Sequence, residues 1–124
     1  MVINTKTKQI ELTPSLEEYV TQKIEATITK LTKPEERDSI LCDVEIAKTT
    51  NHHQNGPFYY AEANLSLAGE QYRATAHAES PEAAIDQVKD ELFREVDQGR
   101  AKKRDIVRRS ALRLKNMLRF GRGR

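Results

Sequence analysis

The sequence predicts an α+β fold: a two-layer β-α-β-β-β-α sandwich whose four-stranded, mainly antiparallel sheet carries both helices on one face. Two helix starts, Thr13-Pro14 and Ser80-Pro81, each open an apolar stripe at spacings of three and four. Three consecutive segments between those helices alternate apolar and polar residues, the period of half-buried strands. The 124 residues fit one domain, long enough to bury a core without staples.

Residues 2–12 are predicted as the first strand, with Ile10 and Leu12 alternating at its end. Thr13 then reads as an N-cap with Pro14 at the first helical position. Leu16, Tyr19, Val20, Ile24, Ile28 and Leu31 form the stripe of a helix that ends near Thr32, before Pro34. In the second strand Ile40, Cys42, Val44 and Ile46 face one side, and Asp43 and Glu45 the other. Thr49 to Pro57 is a polar loop containing the breaker Asn55-Gly56-Pro57.

The third strand, about Phe58 to Leu67, places Tyr59, Ala61, Ala63, Leu65 and Leu67 inward. Ala68-Gly69-Glu70 connects it to a fourth, with Tyr72, Ala74, Ala76 and Ala78 inward and Arg73, Thr75, His77 and Glu79 outward. The inward alanines let a helix lie close to the sheet. That helix starts at Ser80-Pro81-Glu82, carries Ala84, Ile85, Val88, Leu92 and Val96, and reaches at least Asp97, with Gly99 as a stop or weak point.

Charge divides the chain at this point. Residues 1–99 hold 10 basic and 18 acidic residues, a net of −8, while 100–124 hold 11 Lys or Arg and one acid, a net of +10. We therefore expect an α+β domain over 1–99 and a basic C-terminal tail over 100–124. A mildly acidic body with a strongly basic end is the pattern of a chain that meets a polyanion through its tail. The plainer alternative is a solvated tail without a dedicated partner. Val107, Ala111, Leu114 and Leu118 stand at helical spacing in the tail, marginal as an isolated helix but able to form on RNA, on a membrane surface or against a partner. Gly121 and Gly123 are expected to leave the last residues flexible.

Enzyme chemistry is not expected. There is no phosphate-cradling glycine loop and no GxSxG, HExxH or CxxC. His52-His53 reads as a surface loop, His77 as an outward strand residue and Cys42 as a small buried hydrophobe. Phe58 and Tyr60 are expected on the uncovered sheet face, where base stacking is open to them but not required. No catalytic residue, metal or cofactor is predicted. The absence of a signal peptide at Met1-Val2-Ile3 and of an apolar run near the roughly 20 residues of a membrane span predicts a cytoplasmic protein.

Several strings carry a family resemblance. Ile10-Glu11-Leu12-Thr13-Pro14-Ser15-Leu16-Glu17-Glu18-Tyr19-Val20 resembles the opening of the ribosome hibernation-promoting factor and ribosome-associated inhibitor A family, in its short, sigma-54-modulation-like form. Ala61-Glu62-Ala63-Asn64-Leu65, the alanine-rich fourth strand and Ala83-Ala84-Ile85-Asp86 are similar to that family's later strands and second helix. The resemblance spans about residues 2–100. It implies a fold similar to double-stranded-RNA-binding domains, and a factor on the small ribosomal subunit that occludes the tRNA and mRNA sites. It also implies ribosome contacts from basic residues on the two helices, which Lys23 and Arg94 match. Ala26 and Glu91 stand where the resemblance leads one to expect lysines, and Asp86, Asp90, Glu91, Glu95 and Asp97 make the second helix acidic, which shifts weight to the tail.

The candidate RNA-binding residues are thus Lys23, Lys89 and Arg94 in the body and Arg100, Lys102, Lys103, Arg104, Arg108, Arg109 and Arg113 in the tail. The expected partner is the small ribosomal subunit with its ribosomal RNA, bound by a chain that is monomeric off the ribosome and takes neither membrane nor small-molecule substrate. Competing readings are a general RNA-binding or RNA-chaperone module away from ribosomes, and an adaptor whose basic amphipathic tail docks on an acidic partner or membrane surface.

Overall fold

A computed structural model of the chain describes residues 1–49 and 58–122. The His52-His53 pair and Asn55-Gly56-Pro57 fall outside the described residues, as do Gly123 and Arg124.

The first helix begins as its cap predicts. Thr13 is extended, its Oγ1 accepts from the Leu16 N–H at 3.1 Å, and α1 runs Pro14–Leu31. Leu16, Val20, Ile24 and Ile28 are buried. A 3-10 turn, Pro34–Ser39, leads on to the second strand.

Four strands form one sheet in the order β1-β2-β3-β4: Val2–Lys8, Leu41–Lys48, Tyr59–Leu67 and Glu70–Ala78. β1 and β2 are parallel, Val2 facing Leu41; β2–β3 and β3–β4 are antiparallel, Cys42 facing Leu65 and Ala63 facing Ala74. The mainly antiparallel expectation holds, with the parallel pair made by the crossover through α1. Ala68 and Gly69 both take positive φ, 51° and 78°, the left-handed backbone of a two-residue hairpin turn between right-twisted strands.

The first strand is shorter than predicted. It stops at Lys8, where Gln9 turns with φ 62°. Ile10 and Leu12 alternate because both cover the edge of the core, not because they are strand residues. An apolar alternation of two positions fits either geometry.

The second helix, α2, is the larger departure. Ser80 Oγ accepts from the Ala83 N–H at 3.1 Å and the helix runs Pro81–Arg122, 42 residues without interruption. Gly99 is not a stop. A Cβ there would lie 2.9 Å from Tyr72 Cε1, so the glycine lets α2 pass close over β4. Both helices cover one face of the sheet. Val20, Ile24, Ile28, Ile85, Val88, Leu92 and Val96 interlock with Cys42, Val44, Ile46, Ala61, Ala63, Leu65 and Ala74 in one core.

Candidate nucleic-acid interface

α1 and α2 lie side by side and point the same way. At their starts the Tyr19 hydroxyl donates to Asp86 Oδ1 at 2.7 Å. This bond, then partial burial and the nearby acids, raises the Tyr19 pKa above its usual value. At the end of α1, Arg100 donates to the Leu31 carbonyl at 3.0 Å and pairs with Glu36. Arg100 therefore caps an orphan carbonyl of the neighbouring helix. Its guanidinium, followed by the Lys33 N–H, holds the Glu36 carboxyl below the usual range.

The body cations singled out from sequence are engaged or lie beside acids. Lys23 Nζ sits 5.4 Å from the Tyr19 ring centroid, Lys89 bonds Asp90 at 2.9 Å, and Arg94 bonds Glu91 at 2.9 Å. They do not converge with the tail.

The tail cations are presented differently. From Lys102 to Arg119 every side chain of α2 is exposed. At about 1.5 Å per residue the helix projects roughly 27 Å beyond the body. Lys102, Arg104, Arg108, Arg109 and Arg113 form no ion pair among the described residues, whereas Lys103 reaches back to Glu70 at 3.3 Å. Where α2 leaves the body, Lys33, Lys103, Arg104 and Arg108 ring Val107 around a cleft of about 660 Å³, with Arg100 and Glu36 at its wall. Lys33 was not legible as a partner of the tail, because its position depends on α1 ending beside an uninterrupted α2. Lys102, Arg109 and Arg113, spaced seven and four apart, form a second ridge on the side of α2 away from that cleft.

The uncovered sheet face is less suited to phosphates. Lys6 and Lys8 pair with Glu45 at 3.8 and 3.3 Å, Arg73 pairs with Glu62, and the Asn4 amide donates to Asp43 at 3.1 Å. These carboxylates line a shallow depression of about 450 Å³. Tyr60 stands on this face with its ring centroid 5.0 Å from that of His77, and Phe58 is exposed at its edge. Asp43, Glu45 and Glu62 at its centre repel the backbone of any strand stacked there. The inward face holds Cys42, whose thiol burial and the Asp43 charge push up to about 12. Among the described residues no three His, Cys, Asp or Glu gather as metal ligands, and no helix is long and apolar enough to cross a membrane.

Comparison with known proteins agrees with this fold. A ribosomal subunit interface protein from Coxiella burnetii superposes with a TM-score of 0.63 at 19% identity, covering 82% of this chain and 99% of that one. The N-terminal domain of Protein Y from Thermus thermophilus gives 0.62 at 20% identity, covering 79% and 98%. No protein with a curated description matches the chain. The family model described as sigma 54 modulation protein / S30EA ribosomal protein matches residues 3–104, the two-layer fold together with the start of the helical extension. The chain belongs to that family.

Proposed function

We propose that the chain is a non-enzymatic ribosome-binding factor that seats on the small ribosomal subunit, covers the tRNA and mRNA sites and halts translation by occupying space. In this reading the body, residues 1–99, fills the site, and α2 beyond it lies along ribosomal RNA in the cytoplasm. The observation that carries the reading is the helical extension, whose Lys102, Arg104, Arg108, Arg109 and Arg113 are exposed and unpaired among the described residues. Cations held apart on a preformed helix lose little conformational freedom on meeting phosphates, and counterion release favours the contact. The acidic body is repelled by the same backbone, which orients the chain tail-first. Family membership and the fold shared with a ribosomal subunit interface protein support the ribosome as the polyanion.

Sucrose-gradient sedimentation of a lysate tests this. Co-migration with small subunits or whole ribosomes is expected, with inhibition that rises with the ratio of factor to ribosome and reverses on its removal. Absence from ribosomal fractions in both growth and starvation contradicts the reading and favours an RNA-binding module acting elsewhere. Inhibition of many ribosomes by one molecule contradicts occupancy.

A further inference from the structure

One face of α2 changes sign half-way along. Glu82, Asp86, Asp90 and Asp97 recur at spacings of four, four and seven; beyond Ala101, Arg104, Arg108, Lys115 and Arg119 continue the same stripe. At 100° per residue all of them fall within one sector about 100° wide. Three of its charges are antisymmetric about the point between Arg100 and Ala101: Asp97 stands as far before it as Arg104 stands after it, Asp86 likewise matches Lys115, and Glu82 matches Arg119, while Asp90 matches Ala111.

We propose that, off the ribosome, two copies of the chain pair through this face, their α2 helices antiparallel about a two-fold axis between Arg100 and Ala101. Glu82, Asp86 and Asp97 of one copy then meet Arg119, Lys115 and Arg104 of the other, and the two-fold axis applies each contact twice. At the axis Ala101 of each copy comes opposite Arg100 of the other, and the small alanine side chain allows close approach. Exposed Phe93 (39%) comes opposite Arg108, and a guanidinium over an aromatic face is favourable.

A chain cannot satisfy this pattern alone. α2 is continuous, and Gly99 is held under Tyr72, so the cationic half is carried away from its own acids. The complement of its −8 body and +10 end is therefore a second copy. The geometry also gives a place to part of the apolar surface. Val107, Leu114 and Leu118 are 59–62% exposed and lie on the side of the stripe that, in the body, faces α1 through Arg100. In an antiparallel pair that side turns toward the partner's α1. Self-pairing occupies Arg104 and Arg108 but leaves Lys102, Arg109 and Arg113 facing outward. Such a dimer departs from the monomeric state expected from sequence, and pairing does not depend on the ribosome reading.

The test is sedimentation equilibrium of the full chain, free of nucleic acid, over a range of protein and salt concentrations. A monomer–dimer equilibrium that weakens with salt is expected. Asp97→Arg places like charges together twice per dimer and should weaken pairing about tenfold or more, as should Arg104→Asp. The chain carrying both changes should recover most of the affinity, with all variants melting near the parent because both positions are exposed. A single-chain mass at every concentration overturns the proposal. So does a dimer that the single changes leave intact, or one that the combined change does not restore.

Discussion

Gly99 lies under the ring of Tyr72, where an added Cβ would approach Cε1 to 2.9 Å. Helix propensity alone favours alanine there by about 1 kcal/mol. The displaced ring is expected to remove that gain, since overpacking costs about 1–3 kcal/mol. Gly99→Ala should therefore leave stability unchanged or reduce it. In a Tyr72→Ala background the same change should stabilise, and denaturant unfolding of the four-chain cycle reads the coupling.

Arg100 joins α2 to the end of α1 through the Leu31 carbonyl and Glu36. Arg100→Met should cost about 1–3 kcal/mol at neutral pH. The Glu36 pKa is lowered in the folded state, so its contribution is present above the unfolded carboxyl range, near about 4.3, and is lost as pH falls through the folded value. The difference between parent and variant should thus shrink in acid, as unfolding at a series of pH values would show. A chain cut after Gly99 should be less stable than one cut after Arg104, although both retain the buried core.

Tyr19→Phe removes the hydroxyl that links the two helices through Asp86. A loss of about 1 kcal/mol or less is expected at neutral pH, as the pair is partly solvated. The folded-state Tyr19 pKa is raised, so its stabilisation is present below the ordinary tyrosine value and disappears as pH rises through the folded one. Parent and variant should converge in alkali. A difference that persists in alkali would mean that another group sets it.

Cys42 should be inert to a thiol reagent in the native protein. It is fully buried and its thiol stays protonated far above neutrality, so thiolate forms on unfolding. Rapid labelling at neutral pH without denaturant would contradict the packing of β2.

Much of this architecture was legible in the sequence. Thr13-Pro14 and Ser80-Pro81 carry their caps within four residues, and the inward set from Ile40 to Ile46 needs nothing but its period of two. What depended on distant residues was not. Gly99 reads as a stop because glycine is a poor helix former; its purpose appears only when Tyr72, 27 positions earlier, is brought beneath it. Arg100 reads as one more tail cation, yet Leu31 and Glu36 occupy it. Lys33 joins the cleft through the same tertiary contact. The exposed cations of the extension were the legible part of the candidate site, because local charge density was the whole signal.

The central claim is that the α2 extension lies along ribosomal RNA. Affinity of the full chain for small ribosomal subunits, measured against salt, tests it when compared with a chain carrying Lys102→Gln, Arg109→Gln and Arg113→Gln. These three side chains are exposed and lie outside the self-pairing stripe, so folding and dimerisation should be unaffected. Each lost phosphate contact lowers the slope of log affinity against log salt by about 0.7–0.9. The account predicts a steep slope for the parent and one shallower by about two to three, with weaker binding, for the variant. Equal slopes and equal affinities would place the extension away from the RNA and contradict the account.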